Sequence, residues 1–258
     1  MAALSANRIK FIRSLSQKKF REESGLFVVE GEKLVNEALA SDFRIVEIYK
    51  REEIGYQTME RISSLSSPPP VLAVVEQKKE EKFTAGEFIK KVAAGDNPLV
   101  LVLENIKDPG NMGTIIRVAD WFGIDVIYLS EGCVELYNPK VIQATMGAIF
   151  RQRVSVCPHL TELLERYKAC SMPVYATSLR GETIYAAKEP LEKGVIVMGN
   201  ESEGISAEIS AMADRLLLIP AVRTAGHGTE SLNVATATAI ICAEFRRAFF
   251  ASQPQREL

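Results

Sequence analysis

At 258 residues the chain exceeds the usual size of one compact domain, so two units are expected. Its 47% apolar residues supply ordinary cores, no apolar stretch reaches the ~20 residues that span a bilayer, and residues 1–10 lack the apolar region of a signal peptide, so a cytoplasmic protein without a membrane partner is expected. Cys133, Cys157, Cys170 and Cys242 form no C-x-x-C pair and only two histidines exist, so no metal site is expected; a formal charge of −2 argues against indiscriminate nucleic-acid binding but leaves room for a local basic surface.

Such a surface opens the chain. Arg8, Lys10, Arg13, Lys18, Lys19 and Arg21 fall in one mostly helical stretch whose packing stripe is Ile9, Ile12 and Leu15. Taken alone, a run of this kind is more often a solvated helix face than a binding surface. A strand over 26–29, the turn Glu30-Gly31-Glu32, a helix over 33–40 and a strand over 45–49 follow. A helix around 51–65 leads through a serine- and proline-rich turn to a strand over 71–75. This alternation argues for a small α/β domain, which with its charge-rich helical linker occupies residues 1–90.

The second half begins with a buried strand over 99–103, then the turn cluster Asp108-Pro109-Gly110-Asn111, then a helix over 114–122 with Ile115, Val118, Ala119 and Phe122 on one face. Arg117 lies off that stripe, near the carboxyl edge of the sheet, where it suits an anion or a developing oxyanion. Trp121 is expected to pack between helix and sheet. Further strands start at Val126, Val174, Val195 and Leu216. The strand over 195–198 runs into the turn Gly199-Asn200-Glu201, and Gly204 there allows positive φ or close approach to a ligand. The strand over 216–219 ends at Pro220, and Ser231-Leu232-Asn233 opens a long apolar helix with Thr229 or Ser231 as its N-cap and Cys242 in its core. Strands alternating with helices predict a mostly parallel sheet covered on both faces, with ligands beyond the carboxyl ends of the strands.

Three of these segments resemble the motifs of SpoU-type (TrmH-like) 2′-O-ribose methyltransferases of the SPOUT class. The first, Pro-x-Asn-x-Gly and an arginine, stands here as Pro109, Asn111, Gly113 and Arg117. The second, Gly-Asn-Glu-x-x-Gly, is Gly199, Asn200, Glu201 and Gly204. The third is Ile219 and Pro220, followed by Ser231, Leu232, Asn233 and Val234. Asn138-Pro139-Lys140 and the stretch 144–148 look like the family's connecting helix. The resemblance covers residues 97–250. It implies a methyltransferase domain there with a deep trefoil knot, although connection rules alone predict an unknotted chain. It also implies a homodimer, S-adenosyl-L-methionine as cofactor, and a ribose 2′-hydroxyl in structured RNA as acceptor, ribosomal slightly ahead of transfer RNA. The stretch 27–31 resembles the substrate-binding domain that precedes many SpoU-type enzymes, which makes the basic run an RNA contact. One feature departs from the family: Ala221 replaces its usual methionine, and a longer insert over 222–229 carries Arg223 and His227.

A ribose hydroxyl is a poor nucleophile, and the donor methyl is already activated, so the resemblance leaves the protein chiefly orientation work. Arg117 is placed at the hydroxyl. The family's arginine has been proposed as a base, but guanidinium normally stays protonated in proteins, which favours phosphate binding and oxyanion stabilisation. Asn111 would orient Arg117 or the nucleotide, Glu201 would hold Arg117 or a substrate group, and Ser231 and Asn233 would flank cofactor and ribose. Gly199, Ile219 and Leu232 would bind adenine and ribose through the backbone, with Thr177, Asn200, Gly204 and Ala221 in the same pocket. The plainer readings are a turn former, an exposed turn charge and a helix cap. No partner spacing supports His227 as a base. A catalytically silent RNA-binding protein of the same fold would be expected to lose Arg117, Asn111 or the 231–233 set. A knotted base-nitrogen methyltransferase is disfavoured because the first motif resembles the ribose-modifying branch.

Overall fold

The basic stretch folds as two helices, α1 (Ala6–Ser14) and α2 (Lys18–Ser24), in a computed structural model that describes residues 4–78, 83, 86–186, 191–200, 202–222 and 231–252. After them come β1 (Leu26–Glu30), α3 (Glu32–Leu39), β2 (Ile45–Lys50), α4 (Arg51–Ile54), α5 (Tyr56–Ile62) and β3 (Val71–Glu76). The helix expected around 51–65 is broken into two at Gly55, whose φ of +84° only glycine adopts readily. The strands form an antiparallel sheet in the order β1-β3-β2. Both faces of β3 are buried. Ala73 and Val75 pack with Phe27, Val35 and Ala38, and Leu72 and Val74 pack with Ile9, Ile12, Met59 and Ile62.

One of the six cations is removed from the surface by this packing. Arg21 is 1% exposed, donates to the Leu15 carbonyl at 2.8 Å, and is ion-paired with Glu135. It is therefore a core residue rather than an RNA contact, because a buried charge must be paired. Arg8 donates to Glu47 Oε2 at 2.9 Å and to the Tyr49 hydroxyl at 3.3 Å. Lys10, Arg13, Lys18 and Lys19 remain exposed.

The chain continues through α6 (Gly86–Ala93), β4 (Leu99–Leu103), α7 (Pro109–Phe122), β5 (Val126–Leu129) and α8 (Pro139–Thr145). Helix α8 and the 3₁₀ turn Ala148–Phe150 do not belong to the second unit. Val134–Arg151 groups with Met1–Lys79, where Ile142, Ile149 and Phe150 join the core around Phe27 and Ala73. The second unit comprises Glu80–Cys133 and Gln152–Leu258. It resumes with β6 (Val154–Val156), α9 (Leu160–Ala169), β7 (Val174–Thr183), β8 (Gly194–Met198), α10 (Ala207–Met212), β9 (Arg215–Leu218) and α11 (Val234–Ser252).

Its six strands are all parallel, in the order β6-β5-β4-β8-β7-β9. The edge strand β6 is an addition to the five expected. On one face Val100, Val102, Val195 and Val197 pack with Ile89, Leu164 and Tyr167. The alternate residues Leu99, Leu101 and Leu103 are equally buried on the other face. Helix α7 starts at Pro109, five residues earlier than expected. Asp108 is its N-cap, accepting the Asn111 amide at 2.8 Å, and proline suits the first helical position. Trp121 is 78% exposed and so does not pack between helix and sheet. Cys242 is buried, and burial pushes its thiol up to about 12. Among the described residues no helix is long and apolar enough to cross a membrane, and no group of three His, Cys, Asp or Glu side chains could hold a metal.

Candidate active site

In a parallel sheet the strand order determines where a ligand sits. From β4 the chain builds outward through β5 to β6, then crosses to the other side of β4, where β8, β7 and β9 lie. The crevice at such a reversal lies beyond the carboxyl ends of the two strands flanking it, here β4 and β8. Leu103 pairs with Met198 at that end, so residues 104–108 and 199–206 leave the sheet as neighbours.

These loops brace each other. The Glu104 amide donates to the Met198 carbonyl at 2.9 Å, and its buried carboxylate accepts the Ser206 amide at 2.8 Å. Asn105 takes a left-handed backbone, φ 59°; its carbonyl accepts from Asn200 Nδ2 at 3.0 Å and its amide donates to Ser130 Oγ at 2.9 Å. Asn200 Oδ1 accepts the Ser202 amide at 2.8 Å, and the Asn200 carbonyl accepts the Gly204 amide at 2.8 Å. The turn requires glycine at both ends: a Cβ on Gly199 would lie 2.3 Å from the Gly204 carbonyl carbon, and Gly204 has φ +72°. Glu104, Asn105 and Ser130 carry no motif of their own. The only signal for the first two is a polar pair set directly after five buried aliphatic residues.

The first loop runs into α7, and there the first and third motifs touch. Asn233 Nδ2 donates to Asn111 Oδ1 at 2.8 Å. Its Oδ1 accepts the amides of Ala235 at 3.0 Å and Thr236 at 3.3 Å, so Asn233 rather than Ser231 closes α11. Two helix N-termini are thereby brought together, each presenting the positive end of a helix dipole, an arrangement that favours negative charge. Further along α7, Arg117 is exposed and has no hydrogen-bond or ion-pair partner among the described residues.

The other expected residues are more dispersed. Thr177 Oγ1 donates to the Val197 carbonyl at 3.3 Å, linking β7 to β8. Ile219 and Ser231 are half-buried, whereas Ala221 and Leu232 are exposed. Glu201, Arg223, His227 and Thr229 lie outside the described residues.

A parallel sheet whose polar loops gather at one reversal of strand order is the architecture of an α/β enzyme. The chain belongs to the SpoU rRNA Methylase family, whose profile matches residues 98–243, and the profile of the MRM3-like substrate binding domain matches residues 6–98. It is 29% identical over 254 residues to 23S rRNA (guanosine(2553)-2′-O)-methyltransferase RlmP of Bacillus subtilis, covering 93% of this chain and 96% of that one. A protein of the TrmH family from Porphyromonas gingivalis has the same fold at a TM-score of 0.82 and 36% identity, over 96% of this chain and 100% of that one. An AdoMet-bound rRNA methyltransferase from Sinorhizobium meliloti matches at a TM-score of 0.82 and 28% identity, over 96% and 97% of the two chains.

Proposed function

We propose that this chain transfers a methyl group from S-adenosyl-L-methionine to a ribose 2′-hydroxyl of ribosomal RNA. The Asn111–Asn233 hydrogen bond carries the reading, because it joins two of the three motifs at paired helix N-termini on the helix that bears Arg117. The residues expected at the cofactor, Thr177 within β7, Gly199 after β8, Ile219 and Ala221 after β9 and Leu232 before α11, form a donor set that suits it. Thr177 offers a hydroxyl, Gly199 a backbone without a side chain, and Ile219, Ala221 and Leu232 apolar surface for an adenine. None of these is a cation that would repel a sulfonium.

When bound, the cofactor supplies a methyl group already activated on sulfur. Held by Thr177, Gly199, Ile219, Ala221 and Leu232, it would supply that methyl to the hydroxyl oxygen, whose proton would leave to solvent. Arg117 holds the neighbouring phosphate and stabilises negative charge on the oxygen as it develops. Asn111 and Asn233 fix the helix ends that face this charge, and Glu201 and Ser231 orient the nucleotide. Asn200 and Gly204 keep the Gly199 backbone in place.

In this reading residues 1–90 bind RNA, with Lys10, Arg13, Lys18, Lys19 and Arg8 as the cationic contacts, and residues 97–250 carry out the transfer. The carboxyl-terminal region forms the trefoil knot of SPOUT enzymes, and the protein works in the cytoplasm as a homodimer. Exposed Trp121, Phe249 and Phe250 on α7 and α11 support a subunit contact there. The test is methyl transfer from labelled cofactor to ribosomal RNA, with digestion to nucleosides. Label on a ribose oxygen is expected. Label on a base nitrogen, or binding of RNA without transfer, would replace this reading with one of its two rivals.

A further inference from the structure

The amino-terminal unit carries an open cleft of about 660 Å³ that none of the three motifs uses. A bulge in β2 shapes it. Ile45 pairs with Val75 but Glu47 with Val74, so the edge strand holds one extra residue. A bulge re-aims the residues after it. Ile48 and Lys50 thus come opposite Ala73 and Val71, on the face of the sheet that α3 covers. Ile48 and Leu39 line the cleft and are 38% and 53% exposed. Lys50 and Arg51 stand at its rim, the Arg51 guanidinium held by donation to the Pro68 carbonyl at 2.9 Å. Tyr56, 56% exposed, borders it from the start of α5.

Clustered apolar exposure of this kind marks a contact surface, and the charges narrow the occupant. Lys50 and Arg51 are matched in the lining by Glu32 and Glu52, so the cleft suits neither a pure polyanion nor an acidic peptide. A single nucleotide asks for this mixture: cations for its phosphate, an aromatic ring for its base, and carboxylate acceptors for amino groups on the base edge. Proteins that read RNA sequence do so on unstacked bases laid against aromatic side chains. We propose that the cleft receives one unstacked nucleotide of the RNA substrate, its base against Tyr56, Leu39 and Ile48 and its phosphate at Lys50 and Arg51. This rests on the RNA methyltransferase reading above.

The test uses the full chain and protein-free ribosomal RNA, measuring Kd by filter retention and KM by methyl transfer. Tyr56→Ala is expected to raise both about tenfold, the size of one lost base stack. Tyr56→Phe, which keeps the ring, restores them. Lys50→Glu raises Kd and lessens its salt dependence, since a phosphate contact is lost. Affinity for S-adenosylmethionine stays constant throughout, which excludes misfolding. If the unaltered protein binds ribosomal RNA without methylating it, the methyltransferase reading falls while the Kd measurements still decide the cleft. If it methylates and Tyr56→Ala matches it in Kd and KM, the cleft proposal alone is overturned, whether or not a peptide occupies the cleft.

Discussion

Aspartate at position 233 would keep an acceptor for the Ala235 and Thr236 amides but remove the Nδ2 donor that reaches Asn111. Alanine would remove both. Loss of an N-cap costs about 1 kcal/mol, so Asn233→Ala should melt lower while Asn233→Asp stays close to the unaltered protein. Activity should divide differently. A carboxylate between the two helix N-termini offsets the positive field meant for a developing alkoxide, so Asn233→Asp should lose at least about tenfold in single-turnover rate by this electrostatic effect. A stable Asn233→Asp protein with full activity would reduce Asn233 to a cap. For Arg117, alanine should cost ~10²–10³ in rate, the usual effect of removing one preorganised oxyanion donor. Lysine keeps the charge without the planar fork and should retain a small activity. Both should bind cofactor normally; an active Arg117→Ala would remove this residue from the chemistry.

Helix α7 carries the first motif, and its carboxyl end is held by a residue far away in sequence. Arg246 of α11 is buried and donates to the carbonyls of Phe122 at 2.9 Å, Gly123 at 2.7 Å and Asn97 at 2.7 Å. Arg246→Met fills similar space but leaves three carbonyls without their donor. Each such loss costs about 1–3 kcal/mol where water cannot replace it, so a loss of about 3 kcal/mol is expected in urea unfolding. A change under about 0.5 kcal/mol, the range of ordinary surface substitutions, would show that water or relaxation satisfies those groups. Nothing local marks this arginine, and the same limit explains which elements were legible. The parallel strands β4 and β8 are buried on both faces and so read as unbroken aliphatic runs. The residues Asp108-Pro109 read equally well as a turn and as a cap with proline in the first helical position, and Gly110 favours the turn; the Asp108–Asn111 hydrogen bond decides for the helix. Strand β6 has three residues, too few to show a period. Trp121 falls off the Ile115, Val118, Ala119 and Phe122 stripe, so helical period was a better guide to it than side-chain size. Arg21 looks like its cationic neighbours because its partner, Glu135, is 114 positions away. Among the site residues, the motifs identify which side chains matter but not that Asn111 and Asn233 meet.

At the scale of the whole molecule, sequence order and folding unit disagree. The family profile starts at residue 98, which suggests cutting the chain there to isolate the transfer domain. Val134–Arg151 lies within that fragment but folds with Met1–Lys79. Ile142, Ile149 and Phe150 are each no more than 4% exposed, in a cluster completed by Phe27, Phe43, Ala73 and Val75. Burial of one such side chain contributes about 1.5–3 kcal/mol, so three contribute on the order of 5–9, comparable to the ~5–15 kcal/mol that stabilises a whole domain. Removing residues 1–96 takes away the other half of this core, as well as Arg21 from its pair with Glu135. The fragment 97–258 should therefore bind a hydrophobic dye, elute as aggregates, and bind S-adenosylmethionine weakly. Replacing Ile142, Ile149 and Phe150 with glutamine in the fragment should reduce dye binding and aggregation, whereas the same substitutions in the full chain should destabilise it. A monodisperse, dye-negative fragment 97–258 that binds cofactor as the full chain does would show that 134–151 needs no partner from the amino-terminal residues.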